Sequence, residues 1–166
     1  MPKGFDMITK ENLIKLFKKE FATTLKVMNA FPEDKLDFTP HERSQTAKKI
    51  LSTFVFEMFL VESYVFGEVL DNTVFQSYAP VELQTIITDF KKHTENVISK
   101  TEKLSDADMN KTVEFAGTKF TADGFMLMML FDQIHHRGQM SVYIRLAGGK
   151  VPSIYGPSAD DPTTNL

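Results

Sequence analysis

The stretch FMLMMLFDQIHHRGQMSVYIRLA, residues 125–147, decides how this chain folds. Phe125, Met128, Met129, Asp132, His136, Met140, Tyr143 and Ala147 recur in it at intervals of three and four. That spacing lines up side chains on one face of an α-helix. Thr121 or Asp123 is suited to start the helix, and Gly148-Gly149 stops it. The spacing predicts a helix over about 121–147, with the face just named turned to a core.

Three earlier segments repeat the pattern. From about Thr9 to Met28, Leu13, Leu16, Phe17, Phe21, Leu25 and Met28 form a stripe with Lys15, Lys18, Lys19 and Lys26 between them, and Phe31-Pro32 ends it. A second helix is expected from Ser44, with Ala47, Ile50, Leu51, Phe54, Met58, Val61 and Val65 as its core side and Gly67 near its end. A third is expected from Pro80, which suits a first helical turn, with Leu83, Ile86, Ile87, Phe90, Val97, Ile98 and Leu104 inward. Between the third and fourth helices, Val113, Phe115 and Gly117 predict a short extended excursion with a turn. Four amphipathic segments and few strand signals predict an all-α fold, an up-down-type four-helix bundle occupying residues 1–166 as a single domain. The tail Val151–Leu166 is expected to pack its first half, Ile154 and Tyr155 included, on the bundle, and to fray from Asp160 onward.

Composition narrows the function classes. Nineteen Lys and Arg against 22 Asp and Glu give a net charge of −3, which is not the basic footprint of a nucleic-acid binder. No apolar run reaches the roughly 18–20 residues of a membrane span, and residues 1–10 lack the order of a secretory signal. A cytoplasmic protein of bacterial type fits, with no nucleic-acid or membrane partner. There is no cysteine, so a disulfide scaffold, a thiolate metal site and a cysteine nucleophile are all excluded. Any metal must be held by His, Asp, Glu or water.

The chemistry concentrates on the last helix. Asp132 and His136 are one turn apart on its core-facing side. A carboxylate there needs a compensating partner. A hydrogen-bonded imidazole would serve, and so would a cation shared between the two ligands. His135 points about 100° away and belongs to the flank. Arg137 reads as a solvated flank residue, His93 as partly exposed and His41 as a solvated loop residue. Glu57 and Glu62 are embedded in the apolar second helix. Glu57, one turn after Thr53, is the better candidate for a third ligand or a base. No nucleophile elbow, Walker loop or dinucleotide fingerprint is present.

The segment His136-Arg137-Gly138-Gln139, continued to Ser158, resembles the C-terminal signature of the DinB-like (DinB/YfiT) family, and Pro40 to Ser44 resembles the family's opening before the second helix. The resemblance implies a four-helix bundle, often a homodimer. It also implies a nickel or zinc site of three histidines, one on the second helix and an H-x-x-x-H pair on the last. Activities in the family include thiol-dependent transfer, isomerisation and metal-dependent hydrolysis. This chain departs from the ligand pattern at two positions of three. His136 matches, but Asp132 stands for the first histidine of the pair, and Thr53 (or, one register over, Ser52) for the second-helix histidine. Asp keeps an anionic oxygen ligand and shifts preference toward harder cations, whereas Thr is a poor ligand.

Two functions are therefore expected from the sequence. One is a metal-dependent hydrolase or thiol transferase with a degenerate, weakly bound nickel or zinc ion on Asp132, His136 and Glu57, with Thr53, His135, Arg137, Gln139 and Tyr155 around the cavity. The other is a metal-free homodimeric bundle that binds a small apolar ligand or acts as a stress-associated scaffold. A homodimer is expected because Phe54, Val55, Phe56, Phe59 and Leu60 face several directions on one helix, and leaving them wet is unfavourable by about 25 cal/mol per Å². Light scattering at micromolar concentration checks this: twice the single-chain mass of 18.9 kDa is expected.

Overall fold

The computed structural model describes residues 8–68 and 78–162. Four long helices form the bundle: α1 (Lys10–Asn29), α2 (Ala47–Phe66), α3 (Leu83–Lys103) and, after a one-turn helix α4 (Asp106–Met109) and a hairpin, α5 (Ala122–Leu146). Threonine side chains cap three of the four N-termini. Thr9 accepts from Asn12 N, Thr46 from Lys49 N and Thr121 from Gly124 N. The N-cap of α2 is thus Thr46, two residues after Ser44, whose amide closes a turn on His41 O. Helix α3 starts at Leu83 rather than at Pro80.

The expected extended excursion is an antiparallel hairpin of β1 (Thr112–Phe115) and β2 (Thr118–Thr121). Its two-residue turn has Ala116 at φ 49° and Gly117 at φ 76°, a left-handed pair that matches strand twist and that glycine adopts without strain.

Helix α2 packs mainly against α3 and α5, and α1 against α3 and α5. The ring order is therefore α1, α3, α2, α5, with the two successive helices α1 and α2 on a diagonal. The segment between them crosses one end of the bundle, held by Ala47 N to Phe38 O (2.9 Å) and Lys48 N to Leu36 O (2.8 Å). Gly149 seals the same end: a Cβ there would meet Ala30 O and Pro32 Cδ at 3.0 Å.

The predicted stripes of α1, α2 and α3 form the core, centred on Leu13, Phe17, Leu51, Phe54, Ile86 and Phe90. Helix α5 differs. Its inward face carries Met126, Gln133, Arg137, Met140 and Ile144, and the Asp132 side chain is 48% exposed. Asp132 therefore does not belong to the core, and the expected solvated Arg137 is one of the largest fully buried side chains. Its guanidinium donates to Glu20 Oε2 at 2.6 Å, Glu20 O at 3.1 Å and Thr24 Oγ1 at 3.3 Å, all on α1. It also bonds the Tyr155 hydroxyl, which donates to Glu20 Oε2 at 2.6 Å. The arginine is tolerated inside because Glu20, itself buried, supplies the opposite charge.

The tail packs further than expected. Asp160 accepts from Arg145 (2.8 Å) and from Val151 N (3.1 Å), and Asp161 accepts from Ser153 N (3.0 Å). Order therefore continues past Asp160; residues 163–166 lie outside the described residues. The reason given for a dimer changes too. Phe54, Val55 and Phe59 are buried within the chain, and Phe56 and Leu60 are half-buried. The exposed apolar strip is on α5 instead, at Phe131, Val142 and Leu146. No helix among the described residues is long and apolar enough to cross a membrane.

Removing one member of the buried ion pair leaves an uncompensated charge. Arg137→Met is expected to lose about 3–5 kcal/mol in chemical denaturation, and the double variant Arg137→Met/Glu20→Leu to recover most of that loss.

Candidate metal centre

Rotation of α5 around the inward Arg137 leaves Asp132 and His136 on its flank toward α2, where Glu57 faces them. One ligand atom from each of Glu57, Asp132 and His136 lies within 4.8 Å of the other two. The three residues singled out from the sequence as ligands are thus brought together, at the edge of the core and not inside it. Glu57 is buried, His136 half-buried and Asp132 exposed.

The internal bonding of this group is incomplete. His136 Nε2 and Asp132 Oδ2 are 3.6 Å apart, too far for a hydrogen bond. Neither oxygen of Glu57 has a hydrogen-bond partner, and neither does the side-chain amide of the neighbouring Gln133. Burial above all, and then the negative charge of Asp132, push the Glu57 carboxyl well above its usual 4.5, while the Gln133 amide pulls the other way. A buried carboxylate beside a second carboxylate, both turned toward an imidazole nitrogen, is the donor set of a divalent cation. The residues present fit such an ion. They do not reproduce a three-histidine site, since His136 is the single imidazole among them.

The side chain of Gln139 stands between the two adjacent imidazoles. His136 Nδ1 lies 3.0 Å from Gln139 Oε1, and Gln139 Nε2 lies 3.0 Å from His135 Nε2. The amide bridges the two rings, and His136 Nε2 faces Asp132. Gln139 thus links His136 to His135. Thr53 donates its hydroxyl to Lys49 O (3.0 Å) within its own helix, one turn before Glu57. Arg137 and Tyr155, expected around the cavity, are instead committed to Glu20 on the α1 side. Burial, with the bond to Glu20, pushes the Tyr155 hydroxyl up to about 12, so it stays protonated. Gln133 carried no expectation from the sequence; its signal was a polar residue inside an apolar run, next to Asp132.

Two clefts flank the group. One of about 390 Å³ is lined by Ser44, Gln45, Ile50, His136, Gln139 and Tyr143 among others. The other, about 460 Å³, is lined by Phe115, Met128, Met129, Phe131, Asp132 and His135. Elsewhere, Glu62 and His93 make their own pair across α2 and α3, Nδ1 to Oε2 at 2.8 Å, with Asn96 donating to Glu62 at 2.7 Å. The side chain of His93 is 16% exposed, in keeping with the partly exposed residue expected from the sequence.

The sequence pattern of the DinB family matches residues 7–166. This chain belongs to the DinB family. Its relatives include the uncharacterized protein YrdA of Bacillus subtilis, 25% identical over 161 residues, 92% of each chain. A DinB-like protein from Bacillus cereus has the same fold, with TM-score 0.77 and 22% identity over 87% of this chain and 97% of the other. YfiT from B. subtilis, described as a probable metal-dependent hydrolase with an unusual four-helix bundle topology, aligns with TM-score 0.66 and 11% identity over 88% and 93% of the two chains. The DinB bundle is thus the fold, and at these identities the solved relatives speak to the fold alone.

The raised Glu57 pKa sets a pH dependence. A carboxyl whose folded pKa exceeds its unfolded value favours folding while protonated, and that contribution is lost as pH rises through the folded value. Glu57→Gln is therefore expected to melt higher than the parent at pH 8, with the gap closing as pH falls toward 4.5. Melting curves of both proteins without metal, from pH 4.5 to 8, check it.

Proposed function

We propose that this protein is a metal-dependent hydrolase whose divalent cation is held by Glu57, Asp132 and His136, between α2 and α5. The observation that carries the reading is the unbonded approach of these three groups, with both Glu57 oxygens unpartnered in a buried position. A structural Asp132–His136 pair would close to hydrogen-bond distance, and this one stays at 3.6 Å. When bound, the ion supplies Lewis acidity and a water made acidic enough to serve as nucleophile near neutral pH. The chain does the rest. Gln139 holds the His136 ring, Asp132 offers its carboxylate from the solvent side and Glu57 from the protein side. The cleft past His136 admits a small substrate whose lining partners are the uncharged Ser44, Gln45, Ile50 and Tyr143.

Zinc or nickel is the ion expected, and it is held weakly, because one imidazole remains where a three-histidine site has three. Thiol transfer at the same centre would use the same ligands. We also propose that two copies join along the exposed Phe131, Val142 and Leu146 strip of α5.

Calorimetric titration of chelator-stripped protein with zinc and nickel tests the reading. Binding is expected at one site per chain, weakened at least tenfold in His136→Ala and in Asp132→Ala, and fading as acid protonates the ligands. No heat of binding for either ion at millimolar concentration would instead leave a metal-free bundle that binds a small apolar ligand or serves as a scaffold.

A further inference from the structure

Helix α5 places a third side chain, Gln133, beside Glu57, and nothing in the ligand group accounts for it. Gln133 is 0% exposed and Glu57 2%. Both polar atoms of the amide and both oxygens of the carboxylate are without hydrogen-bond partners, the only buried side-chain atoms among the described residues in that condition. Two buried polar groups next to one another without partners are costly, and each calls for a physical account. The amide lies close enough to Glu57 to interact with its carboxyl group.

Position on the helix gives the amide its use. At about 100° per residue, Gln133 and Arg137 share the inward side of α5, while Asp132 and His136 share the flank. Glu57, reaching from α2, is thus neighboured by Asp132 and His136 from the flank of α5 and by Gln133 from its inward side. A carboxylate has two oxygens and lone pairs on both, so it can accept from an amide N–H on its inner side and still present an oxygen outward. An amide is suited to this place because it donates without adding charge beside two carboxylates.

We propose that Gln133 is the positioning residue of the metal centre: when a cation draws one oxygen of Glu57 toward Asp132 and His136, the Gln133 side-chain N–H closes on the other oxygen and fixes the carboxylate in that orientation. This rests on the metal-centre reading above. Gln133 touches neither the ion nor the substrate, and acts through Glu57.

The test uses the full chain stripped with chelator, the variants Gln133→Leu and Gln133→Met, calorimetry with zinc, and visible absorption with cobalt(II) as the reporter of ligand geometry. Both variants keep the volume of the side chain and remove its polar atoms. Zinc affinity is expected to fall 10–100-fold in each, the cobalt absorption band to shift in position or intensity, and the melting temperature without metal to hold or rise, since an unpartnered amide has left the core. Should one variant fail to fold, the other carries the test. Zinc affinity within twofold of the parent and an unchanged cobalt band, in a folded variant, would overturn the role of Gln133 and leave the metal centre standing. An absence of zinc and cobalt binding in the parent itself would overturn both.

Discussion

The buried pairing of Arg137 with Glu20 governs what helix α5 presents to the rest of the molecule. A guanidinium in the core is stable only where its partner is placed to meet it, and Glu20, its own backbone carbonyl and Thr24 do so from successive turns of α1. With Arg137 held inward, the rotation of α5 about its axis is set. Gln133, one turn earlier, is carried inward with it, and Asp132 and His136 are carried to the flank that faces α2. An apolar residue at position 137 would let the helix settle by packing alone, with no such directional hold. The tail is tied to the same pair through the Tyr155 hydroxyl, so the segment after α5 closes over the interaction that orients α5.

From that rotation follows the character of the candidate centre. It is built at a boundary: one carboxylate is buried, one is half in solvent, and the imidazole is between them. Burial makes Glu57 expensive as a charge, and proximity to Asp132 adds to the expense. A fold selected for stability alone would place an apolar side chain there, as the neighbouring α2 positions Phe54 and Met58 do. A divalent cation reverses the sign of both terms, because it turns two repelling carboxylates into two attracted ones. This is why the departure from a three-histidine pattern does not by itself remove a metal centre. The group that stands in its place is oxygen-rich, with one imidazole whose Nδ1 faces Gln139.

Much of this architecture was legible in the sequence. Period-3.6 stripes located four helices to within a few residues, because burying one face of each is the dominant demand on a chain with few strand signals. Gly117 and the alternation around Val113 marked the hairpin, and Gly148-Gly149 marked the end of α5. Asp132, His136 and Glu57 were also visible as candidates, the first two from their spacing and the third as an acid in an otherwise apolar helix. Their chemistry followed from residue type alone: with no cysteine in the chain, oxygen and imidazole ligands were the ones left.

What only the tertiary structure decided is which side of each helix faces which neighbour. Asp132 fits the core spacing of α5 as well as Gln133 does, and local periodicity does not choose between adjacent registers when a stripe contains polar residues. The choice was made by a long-range contact with Glu20, a residue more than a hundred positions away whose burial nothing nearby in the sequence announces. The same holds for the ring order of the helices, set by a connection that crosses the bundle end, and for Arg137 and Tyr155, which local reading placed in solvent and near the cavity. The residue types and their helical spacing came from the chain. Pairing of charges across the core turned that spacing into a site.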